Sequence, residues 1–143
     1  KSLKRKPFST SKFYFFDIGV ARFLQNRQGM KMHSPEFGEA FESYINHEIK
    51  TYCDYRGSYD LCYWRSTSGF EVDFILNEKT AIEVKGKANI SSKDYKALRS
   101  LKEEALLKEY ILVSLEETPR KVGDICILPW KEFLINLWQD KYF

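Results

Sequence analysis

The 143 residues carry 43% hydrophobic and 16% aromatic side chains, which excludes a disordered tail and supports one sizeable core. A formal net charge of +3 permits nucleic acid as a partner without requiring it. Three cysteines, Cys53, Cys62 and Cys126, lack C-x-x-C spacing, which argues against a zinc cluster or disulfide framework and favours a reducing cytoplasm; no run approaches membrane-spanning length.

Lys1–Lys12 is a basic lead, with Lys1, Lys4, Arg5, Lys6 and Lys12, and reads as a solvated linker or an arm for phosphates. Lys12–Phe16 reads as a strand, and Asp17 is placed to cap a helix from Ile18 to about Gln25. Ser34-Pro35-Glu36 is a helix start: a capping hydroxyl, Pro at the first position and an acid in the first turn. That helix is expected to reach about Tyr52, with Phe37, Phe41, Tyr44 and Ile45 in its apolar stripe and Glu42 at the border.

Tyr59–Arg65 reads as a strand, followed by two more, Glu71–Leu76 and Thr80–Lys85. In this hairpin Val72, Phe74, Leu76, Ile82 and Val84 alternate with Glu71, Asp73, Glu83 and Lys85. Carboxylates in a strand this apolar call for a partner or a metal. If Asp73 faces Glu83, Leu76 faces Thr80 and Asn77-Glu78-Lys79 is a three-residue loop. Such loops favour a left-handed residue at the last position, here Lys79, or a bulge nearby. A two-residue turn would instead drive Asp73 and Glu83 to opposite faces.

Beyond the hairpin, Ser91–Asp94 offers caps for a helix to about Lys108, with Tyr95, Leu98, Leu101, Ala105 and Leu106 on one side. Tyr110–Leu115 is a buried strand, and the helix before it implies a right-handed crossover and parallel pairing with Ala81–Lys85. Glu116–Gly123 reads as a loop, Asp124–Leu128 as a strand, and Pro129-Trp130 opens a helix to about Gln139. Gly86-Lys87-Ala88 is no Walker A motif, and two histidines, His33 and His47, support no nucleophilic triad.

Asp73 on one strand with Glu83-Val84-Lys85 on the next resembles the PD-(D/E)xK, or restriction-endonuclease-like, superfamily; Val72 stands where the Pro of the motif's name would be. The resemblance implies a mixed α/β fold whose core, over residues 34–115, runs helix, three strands, helix, strand. Residues 1–33 then form an N-terminal extension and 116–143 a C-terminal strand and helix, all in one domain. It also implies a further acid on the first core helix, the place of Glu42.

Three stretches are similar to a narrower family, the uncharacterised C-terminal domain fused behind AAA-type ATPases of bacteria and archaea. They are Lys12-Phe-Tyr-Phe-Phe-Asp-Ile-Gly-Val-Ala-Arg22, Gly38-Glu-Ala-Phe-Glu42 and Tyr63-Trp-Arg-Ser-Thr-Ser-Gly-Phe-Glu-Val-Asp73 running on to Glu83-Val-Lys85. With a chain opening at Lys1, this implies a domain of a longer protein with an upstream ATPase as partner.

A metal-dependent nuclease on this fold would hold Mg²⁺ or Mn²⁺ through Asp73, Glu83, Glu42 and the Val84 carbonyl. Lys85 would orient the attacking water or offset developing charge. Arg65 and Lys87, flanking the hairpin, are candidate phosphate contacts. DNA is the favoured substrate. The competing expectations are plainer: an Asp73–Lys85 cross-strand ion pair, with Glu42 and Glu83 as surface acids, in a non-catalytic module that binds nucleic acid or docks for the ATPase. Removing one acid from a repelling cluster is expected to leave the unliganded domain no less stable.

Overall fold

The computed structural model describes residues 12–27, 29–57, 60–104 and 107–142. Most of the basic lead, with Lys1, Lys4, Arg5 and Lys6, lies outside the described residues, as do Tyr59, Ala105 and Leu106.

Lys12–Phe16 joins no strand ladder, contrary to expectation. Its alternation is real: Phe13 and Phe15 are exposed while Lys12 and Tyr14 turn inward. That pattern is held by side chains rather than by backbone pairing. Helix α1 (Ile18–Leu24) follows, with the Asp17 carboxylate accepting from the Gly19 and Val20 N–H groups. Helix α2 (Pro35–Arg56) is capped by Ser34, whose Oγ accepts from Phe37 N–H at 3.1 Å. It runs a turn beyond the expected end, to Gly57 at φ 99°.

The strands are β1 (Leu61–Arg65), β2 (Glu71–Leu76), β3 (Thr80–Lys85), β4 (Glu109–Ser114), β5 (Arg120–Val122) and β6 (Ile125–Pro129). They form a six-stranded mixed sheet in the order β1-β2-β3-β4-β6-β5. β1 to β3 are antiparallel, whereas β3, β4 and β6 run parallel, as the crossover through helix α3 (Lys96–Glu104) requires. Strand β5 lies inside the stretch expected to be a loop; Gly123 at φ 61° lets the chain reverse so that β5 edges β6. Only one of its three residues is even partly buried, so it carried no apolar signal. Helix α4 (Trp130–Trp138) closes the chain. Helix α3 starts later than its Ser91–Asp94 turn suggested: that stretch closes as a tight turn, with the Asp94 N–H on the Ser91 carbonyl at 3.0 Å, and the helix begins only at Lys96.

Helices pack on both faces of the sheet. Phe41, Ile45, Ile49 and Tyr52 of α2, with Phe133 and Leu137 of α4, cover Phe74, Leu76, Ile82, Val84, Ile111 and Val113. Leu98 and Leu101 of α3 cover Val72, Ile75, Ala81, Tyr110, Leu112, Ile125 and Ile127. Being covered on both faces, β3 and β4 read as nearly continuous apolar runs. Full burial of Ile45 or Ile49 contributes about 2 kcal/mol each to folding.

The hairpin register is the expected one: Leu76 faces Thr80 and Phe74 faces Ile82, leaving Asn77–Lys79 as the loop. The left-handed residues are Asn77 (φ 52°) and Glu78 (φ 54°), not Lys79. Lys79 N–H closes the turn on the Leu76 carbonyl at 2.9 Å, and the Lys79 carbonyl is claimed by Lys108 and Glu109 N–H groups.

No disulfide joins Cys53, Cys62 or Cys126 among the described residues. No helix among the described residues is long and apolar enough to cross a membrane.

Candidate functional site

Strand β2 does not alternate regularly. Val72 and Phe74, two apart, lie in cores on opposite faces of the sheet. Cys62 faces Ile75 and Trp64 faces Val72, so Asp73 and Phe74 together oppose the single residue Tyr63. This is a bulge, and Asp73 sits in it. The ladder with β3 stops at Phe74–Ile82, and beyond it the Asp73 Oδ2 accepts the Val84 N–H at 2.9 Å. A carboxylate thus takes the place of a backbone carbonyl at the end of the ladder.

On β3, Glu83 and Lys85 alternate with the core residues Ile82 and Val84. Gly86 follows, and a Cβ there would come within 3.2 Å of Gly38 Cα and the Phe37 ring. The end of β3 is therefore pressed against the first turns of α2. Glu42, one turn beyond Gly38, is carried towards Asp73 by that contact.

The acids collect at this end of the hairpin. Asp73 is 7% exposed and Glu83 only 4%. Their partners are not those expected. Lys12 Nζ lies 2.6 Å from Asp73 Oδ1 and 3.2 Å from Glu42 Oε1. The Tyr14 hydroxyl donates to the same Glu42 oxygen at 2.7 Å, and its ring packs on Phe74. Lys85 Nζ pairs with Glu83 Oε1 of its own strand at 2.5 Å. The expected Asp73–Lys85 bond is thus replaced by two others: Lys85 reaches two residues along its own strand, and Lys12 arrives from outside the sheet. Nor is Glu83 a surface acid, and Glu42 is half-buried.

The second oxygen of Glu83, Oε2, is buried and makes no hydrogen bond. Burial first, and the Asp73 charge second, push the Glu83 carboxyl up to about 8, against the pull of Lys85. For Lys85, burial works against the charged form, but the Glu83 carboxylate outweighs it and the ammonium is held above its ordinary range. Lys12 behaves likewise: burial disfavours its charge, and Asp73 and Glu42 more than restore it. Burial and the Glu42 contact raise the Tyr14 phenol.

Arg65 is held by Glu71 at 3.1 Å and Lys87 by Asp94 at 2.7 Å, so each candidate phosphate contact already carries an acid. Reading the residues in order missed Lys12 and Tyr14 as members of the cluster. Their inward alternation between exposed phenylalanines was the available signal, and it was absorbed into a strand. A groove of about 330 Å³ runs between residues 12–15, α1 and α2, with Lys12, Tyr14 and Glu42 in its wall.

Among the described residues, no three His, Cys, Asp or Glu side chains are gathered closely enough to hold an ion as they stand. The orphaned, buried Glu83 Oε2 beside Asp73 is nonetheless what a hard cation would satisfy, so the donor set fits Mg²⁺ or Mn²⁺ in chemistry.

No curated protein and no solved structure matches the chain. A family model matches residues 37–133, from the first turn of α2 into α4, and so spans the whole acid cluster except Lys12 and Tyr14. The chain therefore belongs to the family described as domain of unknown function DUF4143, a domain found C-terminal to AAA ATPases.

Proposed function

We propose that this domain is a divalent-cation-dependent nuclease with a restriction-endonuclease-like core, acting on DNA in the service of an upstream ATPase domain. The observation that carries the reading is the buried Glu83, with one oxygen on Lys85 and the other without a partner, beside the bulged Asp73. A purely structural acid buried to 4% exposure would be expected to have both oxygens satisfied. The order of elements supports the fold: a helix, three antiparallel strands, a helix, then a strand parallel to the third.

Asp73, Glu83 and Glu42 would hold the ion, with the Val84 carbonyl as a further oxygen. Such an ion supplies charge neutralisation at the phosphate and a more acidic water. Lys85 is held as an ammonium by Glu83, so at neutral pH it stabilises developing negative charge rather than taking a proton. Arg65 and Lys87 would contact phosphate by exchanging Glu71 and Asp94 for it. Cysteines that form no disulfide suit a reducing cytoplasm.

The experiment is cleavage of plasmid, single-stranded DNA and RNA with Mg²⁺ or Mn²⁺ against EDTA, comparing wild type with Glu83→Gln. Metal-dependent cleavage lost in the variant is the expected result; cleavage by both, or no cleavage by wild type and by Lys12→Met alike, ends the nuclease reading.

A second reading, docking without catalysis, is favoured by one feature. Phe13 and Phe16 are 80% and 87% exposed, and Phe23 and Leu24 of α1 are exposed as well. An apolar surface of that kind suits contact with another domain.

A further inference from the structure

We infer that Lys12 is a built-in counter-cation that closes the acid cluster to a divalent ion, so that the site opens only when the segment Lys12–Tyr14 moves aside. The inference rests on the metal-site reading above and adds a gate to it.

At Asp73 and at Glu42, one oxygen that an ion would share is already engaged by this segment. Asp73 Oδ1 has the Lys12 ammonium at 2.6 Å, and its other oxygen has the Val84 N–H at 2.9 Å. Glu42 Oε1 is shared by Lys12 at 3.2 Å and the Tyr14 hydroxyl at 2.7 Å. Mg²⁺ binds its oxygens at about 2.1 Å, so an ion on Asp73 Oδ1 would lie within a few ångströms of the Lys12 charge in a largely buried setting. Ion and ammonium are therefore alternatives at Asp73. Lys85 is placed differently: it holds Glu83 Oε1 and leaves Oε2 open. Lys12, by contrast, bridges acids from two elements, β2 and α2.

The segment is also attached in a way that allows release. Residues 12–15 form no backbone ladder, and the polar contacts described for them to β2 and α2 run through two side chains. Tyr14 adds one ring contact, to Phe74 at 5.9 Å between centroids. Moving these few residues breaks no strand pairing, and of the two cores it disturbs only the one on the α2 side, where Tyr14 packs at the edge.

Reciprocity makes this testable from both sides. In calorimetric titrations with Mn²⁺, Lys12→Met is expected to bind at least about tenfold more tightly than wild type, a difference of about 1.4 kcal/mol. Lys12→Arg keeps the charge and is expected to gain nothing. Conversely, Mn²⁺ should speed tryptic cleavage after Lys12 in the wild-type chain, read by mass spectrometry as the fragment beginning at Phe13. If wild type binds Mn²⁺ and Lys12→Met binds no more tightly, or Lys12→Arg gains as much, the gate is overturned and the metal site stands. Unchanged cleavage after Lys12 in a wild type that binds Mn²⁺ also overturns it. If neither wild type nor a folded Lys12→Met, checked by circular dichroism, binds Mn²⁺, the metal site fails and the gate with it.

Discussion

The two ends of the β2–β3 hairpin are built from the same strands and solve opposite problems. At the turn end, Thr80 is buried but its hydroxyl donates to the Tyr142 carbonyl at 3.2 Å. The Lys79 carbonyl takes two N–H groups there, and Asn77 Oδ1 accepts from Asp60 N–H. That end contains no buried charge among the described residues. At the open end, two buried acids meet two lysines, a strand bulges, and Glu83 Oε2 has no partner. The Tyr142 hydroxyl beside the turn end is also buried without a partner, but a neutral hydroxyl costs far less than a buried carboxylate, and it is the orphaned carboxylate that marks a place giving up stability for something else.

The sharpest way to break that contrast is to titrate it. Glu83 is raised to about 8, above the ordinary Glu value of about 4.3, so the folded protein binds this proton more tightly than the unfolded chain. Its stabilising effect is complete below about pH 4 and is lost as pH rises towards 8. Relative to wild type, Glu83→Gln should therefore gain stability with rising pH, on the order of 4 kcal/mol across that window. Thermal melts of both proteins between about pH 5 and pH 8.5 measure the larger part of this. Parallel curves would mean that Glu83 is not strained, and the contrast would fall.

Asp73 gives the next largest effect. Asp73→Ala strips the Val84 N–H and the Lys12 ammonium of their partner, and should cost about 3 kcal/mol in urea unfolding without metal. This reverses the expectation that removing an acid from the cluster is harmless. Repulsion was assumed to dominate, but Lys12 and a backbone donor already compensate Asp73. A variant as stable as wild type would restore the earlier view.

At the turn end the effects should be small and ordinary. Thr80→Val removes one donor and leaves the Tyr142 carbonyl without it, a loss of about 1 kcal/mol that should not vary with pH. Glu78→Gly relieves a left-handed residue at φ 54° and should gain up to about 1 kcal/mol, read as a rise in the urea midpoint. A large or pH-dependent change in either would mean that the two ends are not distinct.

Local chemistry was enough for much of this protein. Ser34 and Asp17 announced their helices because a cap bonds within three residues of itself. The requirement that Asp73 and Glu83 share a face implied a three-residue loop and so the β2–β3 register, because a one-residue slip moves every side chain to the other face. Helix α3 between two apolar runs implied the parallel pairing of β3 with β4. From these, Asp73, Glu83 and Lys85 could be placed at one end of one hairpin.

What the tertiary structure alone decided concerns the partners. Lys12 meets Asp73 across 61 positions and Tyr14 meets Glu42 across 28, contacts with no local spacing rule behind them. The bulge at Asp73 needed the β1 register, and β5 needed a neighbour, since its own residues are mostly exposed. Sequence determined which charges lie on the hairpin because side-chain direction follows from the period of a strand. Which opposite charge neutralises each depends on how the chain returns through space, and no periodicity records that.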